Sequence, residues 1–188
     1  MQFRKPTPAD AMPIARVLVQ TFLSAHKGQI PEEVWQWRQR EWTAEFVSGI
    51  WVRMLDEISS GTRPRESVYV AETASGQIIG MVNAEPADDA NGGLIGEVTA
   101  LYVDTEHQGR GVGRRLLLSI AEDQAAKGLA GLQVGTLVTN TPARLFYEAM
   151  GGQVATERDI EDGGHPLREV IYRWSDIRRV GQEQQNGS

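Results

Sequence analysis

A glycine-rich segment, Gln108 to Gly113, contains the residues best suited to bind a ligand. Glycines let the backbone approach a ligand closely, and alternating glycines let successive N–H groups point into one cavity. An amphipathic stretch follows from Val112, and the first turn of such a helix adds unpaired N–H groups and the positive end of its dipole. The segment therefore predicts a site for a phosphate or pyrophosphate group. Its glycines and the arginines in and after it are Gly109, Gly111, Gly113, Arg110, Arg114 and Arg115.

The spacing of the glycines excludes two common phosphate-binding loops. A dinucleotide-binding fingerprint needs a glycine where this chain has Arg114, and a Walker loop needs a lysine directly after Gly113. What remains is Gln-x-x-Gly-x-Gly after a predicted strand that ends in Tyr102-Val103-Asp104. This pattern resembles the acetyl-CoA-binding motif of the GCN5-related N-acetyltransferases, whose loop reads Arg/Gln-x-x-Gly-x-Gly/Ala. Taken alone, six residues also leave open a plain turn between a strand and a helix.

Two further segments carry the same resemblance. Residues Asn140 to Gly152 resemble the family's Asn-x-x-Ala-x-x-Phe-Tyr-x-x-x-Gly block, and Glu97 to Val103 resemble its central fourth strand. The blocks stand in the family's order, and the resemblance covers about residues 94–175. It implies a mixed α/β fold with a mostly antiparallel central sheet flanked by helices. In that fold the fourth strand carries a bulge and splays from the fifth, which leaves a slot for the pantetheine arm of the coenzyme.

The resemblance also assigns acetyl-CoA contacts to three parts of the chain. The fourth strand would offer backbone groups to the pantetheine arm, the glycine loop would hold the pyrophosphate, and the asparagine of the second block would lie beside the arm. For Asn140, capping of the following helix is an equally good interpretation. The residues implied are Leu101, Tyr102, Val103, Gln108, Gly109, Arg110, Gly111, Val112, Gly113, Arg114 and Asn140.

Transfer of an acetyl group from a thioester to an amine needs an acid for the departing thiolate and a base for the amine. Tyr147 matches the tyrosine that protonates the coenzyme sulfur in many family members, and a phenol with a pKa of about 10 stays protonated at pH 7. Its alternative is packing in a helix face beside Phe146. Glu97 is the candidate base, acting through water, and its alternative is a solvent-exposed carboxylate at a strand edge. Glu169 in the last strand is a weaker competitor.

The chain contains no cysteine, which excludes disulfides, thiolate metal sites and an acetyl-cysteine intermediate. We therefore expect direct attack of the amine on acetyl-CoA. The histidines are His26, His107 and His165, and neither they nor the carboxylates show a spacing typical of a metal site. No metal is expected.

Four tryptophans lie in the second helical region, which by resemblance lines the acceptor pocket. Aromatic faces there can hold an apolar or cationic acceptor. Tryptophans at helical spacing more often serve as core or interface anchors, and both interpretations stay open. The four are Trp35, Trp37, Trp42 and Trp51.

Apolar periodicity and turn residues predict the elements that position these groups. Strands are expected at residues 3–5, 67–72, 77–85, 94–103 and 132–138, and a hairpin at 153–161 and 166–174. Helices are expected from Thr7, over an interrupted region at 31–59, and at residues 112–125 and 143–150. A polar loop is expected at 88–93. Residues 1–175 form one domain in this interpretation, and a polar tail, 176–188, is expected to fray.

Composition limits the function classes further. Hydrophobic residues make up 40% of the 188, which indicates one folded globular domain. A net charge of −6 and a pI near 5.1 disfavour nucleic-acid binding. The sequence shows neither a signal peptide nor a long apolar run, so we expect neither secretion nor a membrane partner. We expect a cytoplasmic enzyme that uses acetyl-CoA to acetylate the primary amine of a small molecule or peptide, and family members are often homodimers. A non-catalytic acyl-CoA-binding or regulatory module and an enzyme with a longer acyl donor are the alternatives.

Overall fold

The computed structural model describes residues 1–89 and 92–182, and its centre is one seven-stranded sheet. The strands are β1 (Gln2–Arg4), β2 (Ser67–Glu72), β3 (Ile78–Asp88), β4 (Leu94–Val103), β5 (Leu132–Leu137), β6 (Gln153–Asp162) and β7 (His165–Trp174). They are ordered β1-β2-β3-β4-β5-β7-β6, and every neighbouring pair is antiparallel except β4 and β5, which run parallel. The predicted mixed, mostly antiparallel α/β fold is confirmed.

Helices cover both faces of the sheet. They are α1 (Ala11–His26), α2 (Glu32–Glu41), α3 (Ala44–Ser59), α4 (Val112–Ala126) and α5 (Thr141–Ala149). The predicted second helical region divides into α2 and α3, because Thr43 starts a new helix by accepting a hydrogen bond from the Phe46 N–H at 3.2 Å. β3 runs to Asp88, past its predicted end at Glu85, so part of the predicted polar loop is strand. Residues 90 and 91 of that loop lie outside the described residues.

Apolar side chains alternate along the strands and form a core on each face of the sheet. On one face, Leu116 and Ile120 of α4 belong to a core that includes side chains of β5 and β7. On the other face, Ile14 of α1 and Trp51 of α3 belong to a core that includes side chains of β2 and β3. Full burial of a side chain of this size contributes roughly 1.5–3 kcal/mol. The two cores hold the sheet from both sides and so orient its central strands.

The central strands β4 and β5 separate soon after they meet. Their parallel pairing covers residues 96–98 and 132–134, and the rest of β4 up to Val103 pairs with β3 alone. A shift in the β3–β4 register places an extra residue, Thr99, in β4 at the point where the strands part. A bulge bends its strand and increases the local twist, which turns β4 away from β5. The predicted splayed pair is confirmed, and the backbone of residues 101–103 borders an open slot.

The chain continues to pack against the core beyond the last strand. Ile177 and Val180 are 3% and 4% exposed, and the Gly181 N–H donates a hydrogen bond to the Met150 carbonyl at 2.8 Å. Residues 176–182 are therefore packed rather than frayed, because this polar segment carries two apolar side chains on one side of a short helical turn. Residues 183–188, the rest of the predicted tail, lie outside the described residues.

Candidate active site

The glycine loop joins β4 to α4, and its backbone shape depends on glycine. Gly109 and Gly111 adopt φ angles of 69° and 78°, in the left-handed region that other residues rarely enter. A Cβ at either position would meet no atom within 4 Å, so the space beside the loop is open. Gly111 is also the N-cap of α4, and no side chain of the described residues caps that first turn. Backbone N–H groups at the start of α4 are therefore available to an anion.

The polar side chains of the loop divide between structural and exposed roles. Gln108 donates a hydrogen bond from Nε2 to the Val103 carbonyl at 2.9 Å, which ties the loop to the end of β4. Arg114 donates to a backbone carbonyl of the C-terminal segment at 3.0 Å. Arg110 and Arg115 are exposed, and neither side chain forms a hydrogen bond or ion pair with another described residue. These two guanidinium groups are the ones left to meet a phosphate.

The strand side of the slot presents backbone groups. Leu101 packs against the core on the α4 side, whereas Tyr102 packs against the core formed with α1 and α3. Val103 and Val112 are buried, with exposed fractions of 9% and 1%. A Cβ on Gly113 would lie 3.6 Å from the Phe146 ring, in ordinary contact with α5. Hydrogen bonds from this region to an extended ligand would therefore come from the main chain.

Tyr147 lies on α5 with its ring in the core on the α4 side of the sheet. Its side chain is 6% exposed, and its ring centroid lies 5.2 Å from that of Phe146 and 5.9 Å from that of Tyr172. Burial raises the pKa of its hydroxyl, and the phenol of Tyr102 adds to the effect. The hydroxyl forms no hydrogen bond with the described residues. The ring therefore packs in the core, and the hydroxyl is left without an acceptor among the described residues.

Glu97 faces the opposite side of the sheet. Its neighbour Val98 belongs to the core on the α4 side, and successive side chains of a strand alternate between faces. The Glu97 carboxylate accepts hydrogen bonds from Gln133 at 3.2 Å and from Arg158 at 3.3 Å. Arg158 also donates to Glu169 at 3.1 Å. The candidate base and its weaker competitor therefore share one guanidinium group.

The position of the Glu169 carboxylate beside Arg158 requires a glycine at residue 135, which was not among the predicted site residues. A Cβ on Gly135 would lie 2.7 Å from Glu169 Oε2 and 3.2 Å from Ile171 Cδ1. A glycine inside a strand often marks such a close approach, and that signal was present in the sequence. Glu85 stands opposite Glu97 in the β3–β4 ladder, and its pKa is raised by burial and by neighbouring carboxylates. Negative charge is therefore concentrated on this face of β4.

The family model described as "Acetyltransferase (GNAT) domain" matches residues 64–151. The chain belongs to the GNAT family. The matched segment begins just before β2 and ends after α5, so it contains the splayed strands, the glycine loop and both candidate catalytic residues.

Relatives and solved structures agree with this membership. Over 116 residues, 62% of this chain and 66% of the relative, the chain is 31% identical to the uncharacterized N-acetyltransferase YuaI of Bacillus subtilis. It is 34% identical to the thialysine N-epsilon-acetyltransferase of Bos taurus over 68 residues, 36% of this chain and 38% of that one. The matched part thus spans no more than about two thirds of either relative.

The fold has close structural counterparts. The PaiA N-acetyltransferase of Thermoplasma acidophilum, solved in complex with coenzyme A, superposes with a TM-score of 0.70 at 20% identity, covering 92% of this chain and 96% of that one. The ribosomal-protein-alanine N-acetyltransferase of Brucella melitensis gives a TM-score of 0.65 at 19% identity, covering 93% and 99%. At 19–20% identity, these likenesses show a shared fold and nothing further.

In this GNAT chain Asn140 caps a helix. Its Oδ1 accepts a hydrogen bond from the Ala143 N–H at 3.3 Å, and its own carbonyl accepts from the Arg144 N–H at 3.1 Å. Pro142 occupies the first turn of α5, where its missing N–H costs nothing. Asn140 therefore sets where α5 starts, and through α5 the position of Tyr147. Its contact with a pantetheine arm stays a prediction.

The tryptophans of the second helical region serve the core and enclose a cation. Trp51 is 4% exposed in the core beneath α3. Trp37 and Trp42 lie over the Arg38 guanidinium, with ring centroids 5.4 and 5.0 Å from its Cζ. Arg38 is also ion-paired with Asp162 at 2.5 Å. The sequence does not indicate this ion pair between α2 and the β6–β7 hairpin, because Arg38 and Asp162 are far apart in the chain.

The histidines have partners outside any metal-like cluster. His107 lies 3.3 Å from Asp104, His165 lies 3.1 Å from Glu33, and burial lowers the pKa of His26. Within residues 1–89 and 92–182 no group of three or more histidine or carboxylate side chains is arranged to hold a metal ion. In the same residues, no helix has the length and apolar character needed to cross a membrane.

Proposed function

We propose that this GNAT protein transfers the acetyl group of acetyl-CoA directly to a primary amine. Two observations support the proposal: β4 and β5 stop pairing after residue 98, and the phenol and the carboxylate lie on opposite faces of the sheet. A continuous ladder would keep Tyr147 and Glu97 on separate sides. The open slot lets a thioester lying in it meet an amine that arrives from the carboxylate face.

The donor half of the site rests on the loop and the strand. The open N–H groups of the glycine loop and the exposed Arg110 suit the pyrophosphate of coenzyme A. The backbone edge of residues 101–103, which has no strand partner on the β5 side, suits the amides of the pantetheine arm. The structural counterpart solved with coenzyme A has the same fold, which supports this assignment.

The chemistry balances as a direct transfer. The amine gives up one proton, through water to Glu97, and its nitrogen attacks the thioester carbonyl carbon. The C–S bond breaks, the nitrogen loses a second proton, and the departing sulfur gains one. Because a thiol with a pKa of about 8.5 is more acidic than a phenol, Tyr147 stabilises the departing sulfur through a hydrogen bond and stays protonated overall. Its raised pKa keeps that donor proton in place throughout the neutral range.

The acceptor half favours a cationic amine. Glu85, Glu97 and Glu169 place carboxylates on the face where the amine would enter, and Arg158 neutralises them only in part. The bovine relative is named for acetylating the ε-amine of thialysine, so lysine-like amines belong in the first panel. Both small amines and peptide amines fit this chemistry, and the panel should include each.

The acid role is tested by thiol release from acetyl-CoA with the amine panel. We expect Tyr147→Phe to lower kcat about a hundredfold, which is what the loss of one hydrogen-bond donor to a developing negative charge costs, with little change in coenzyme A affinity. Tyr69→Phe is the matched control, since Tyr69 is a partly buried phenol of β2, which β3 separates from β4. Full turnover by Tyr147→Phe would contradict the assignment.

The base role is tested by Glu97→Gln, which keeps the side-chain shape and removes the charge. We expect a large loss of kcat near pH 7 that is partly recovered at higher pH, where more of the amine is already deprotonated. Glu169→Gln should have the smaller effect. If calorimetry shows acetyl-CoA binding while no amine gives thiol release, a non-catalytic acyl-CoA-binding module is the better description. Faster turnover with a longer acyl-CoA would reassign the donor.

The setting of the enzyme completes the proposal. We infer a cytoplasmic protein without nucleic-acid or membrane partners, on the grounds of its net charge of −6 and its lack of cysteine. We also propose that the protein forms a homodimer, as the family resemblance implies. Sedimentation equilibrium at micromolar concentration tests that oligomeric state, and fractionation of the source cells tests the location.

A further inference from the structure

A second cavity, of about 430 Å³, lies away from the β4–β5 slot. It opens at the sheet edge where β1 ends, since β1 pairs with β2 only from Val70 onward. Its walls come from the end of α3, the segment before β2 and Lys127 at the end of α4. Neither the glycine loop nor any residue of β4 or β5 takes part in its lining. Its volume falls within the range of small-molecule sites.

One wall of this cavity is apolar. Leu55 and Val68 line it and are each 3% exposed, and Ile58 lies beside them. Pro6 and Pro64 contribute further apolar surface at its rim. Such a wall favours the aliphatic part of a ligand over water alone.

The lining also contains a buried carboxylate with one oxygen that has no hydrogen-bond partner. Glu66 is 3% exposed and lines the cavity. Its Oε2 accepts a hydrogen bond from Arg63 at 2.9 Å, whereas its Oε1 has no hydrogen-bond partner. A buried acceptor without a donor costs free energy, and more when it is charged. A ligand that brings a cationic N–H group would remove this cost.

Two cations beside Glu66 have donors to spare. The Lys5 side chain is 59% exposed and is ion-paired with Asp123 at 2.6 Å. The Arg63 side chain is 43% exposed and is ion-paired with Glu57 at 2.6 Å as well as with Glu66, which leaves N–H groups on Nη2 without a partner among the described residues. Lys127 differs, because its three N–H groups meet the Glu66 carbonyl, Ser67 Oγ and the Asp123 carboxylate within 2.8 Å. Lys5 and Arg63 are therefore the groups that would receive an anion.

We propose that this cavity binds an α-amino acid with an apolar side chain. The ligand's ammonium group bonds to Glu66, its carboxylate lies between Lys5 and Arg63, and its side chain packs on Leu55 and Val68. A small zwitterion with an aliphatic or aromatic side chain matches all three parts of the lining. The site is separate from the transfer site and does not depend on the proposed acetylation.

Calorimetry on the full chain tests the ligand class with L-leucine as the probe. Two analogues separate the polar contacts: leucinamide lacks the carboxylate, and 4-methylpentanoate lacks the ammonium group. We expect saturable binding of L-leucine at one site per chain, with each analogue at least tenfold weaker. Absence of saturable leucine binding would overturn the proposal, as would analogues that bind as well as leucine.

Variants then locate the binding. Glu66→Gln should weaken leucine binding at least tenfold, about 1.4 kcal/mol, whereas the exposed Glu45→Gln on α3 should leave it unchanged. Ser59→Trp is a second test in case Glu66→Gln fails to fold, because Ser59 is an exposed lining residue and the indole would fill the cavity. Binding that survives in Ser59→Trp overturns the proposal.

A last comparison separates this cavity from the acceptor side of the transfer site. Glu97→Gln and a saturating concentration of coenzyme A should both leave leucine affinity unchanged. Loss of leucine binding in Glu97→Gln would assign the ligand to the transfer site and overturn a second site.

Discussion

Replacing Gly111 by alanine tests the proposal that the glycine loop binds the pyrophosphate of coenzyme A. The residue holds φ at 78°, and a Cβ there would meet no protein atom within 4 Å. The substitution therefore causes backbone strain without a clash. A left-handed conformation costs an L-residue about 1–2 kcal/mol, and the lower entropy of the unfolded chain returns about 0.4–1 kcal/mol. We expect a net loss of roughly 1 kcal/mol in the free energy of unfolding, measured by urea denaturation.

The effect on ligand binding should be larger than the effect on stability. The open space that the new methyl group enters is the space proposed for the pyrophosphate, so coenzyme A binding should weaken at least tenfold, or about 1.4 kcal/mol, by calorimetry. Gly28→Ala is the matched control, because Gly28 holds φ at 75° with no atom within 4 Å of its Cβ and lies just beyond the end of α1. It should lose similar stability and keep its coenzyme A affinity. Equal affinities of the two variants would refute the pyrophosphate assignment.

Three other substitutions test the remaining parts of the structure. Gly135→Ala should push the flexible end of Glu169 aside, raising KM for the amine in steady-state assays while stability changes by less than about 1 kcal/mol; an unchanged KM would contradict this. The hydrogen bonds from Arg4 hold the pKa of Asp10 at about 2, so the pair stabilises the protein above pH 4 and this contribution is lost as pH falls toward 2. Asp10→Asn should lose about 1 kcal/mol at pH 7 and flatten that acid dependence in urea titrations, and an unaltered profile would count against it. Ile177→Ala should cost about 2–4 kcal/mol in unfolding free energy if the segment after β7 is packed, and close to nothing if it frays.

Local sequence signals were sufficient for the elements and for the donor loop. Alternation identified β2, turn glycines identified the β6–β7 hairpin and apolar spacing identified α4, because all three depend on neighbouring residues in the chain. The glycine pattern predicted the loop between β4 and α4, and Gly109 and Gly111 adopt positive φ angles there. The end of β3 was predicted too early because Pro86 follows Glu85 and a proline normally stops a strand; here it lies inside β3, in a part that pairs with β4 alone.

The acceptor side shows where sequence reasoning ended. Glu97 and Glu169 were each named as candidates, but their common partner Arg158 was not, since the three lie on β4, β7 and β6. The register of the hairpin places Arg158 opposite Glu169, but only the order of the strands brings Glu97 beside them. The Arg38–Asp162 ion pair was missed for the same reason, because the two residues are far apart in the chain. Contacts of this kind depend on the strand order, which periodicity alone does not specify.

The sequence by itself determined the family, the order of the elements and the place of the glycine loop, since each depends on residue types at short, fixed spacings. The resemblance implied that the fourth strand splays from the fifth, but the tertiary structure alone decided that their pairing ends at residue 98 and that Tyr147 and Glu97 lie on opposite faces of the sheet. It also decided that a half-paired Glu66 lines a second cavity. The physical reason is that charge pairing, burial and a free backbone edge arise between residues distant in the chain, and packing brings them together only once the whole sheet has formed.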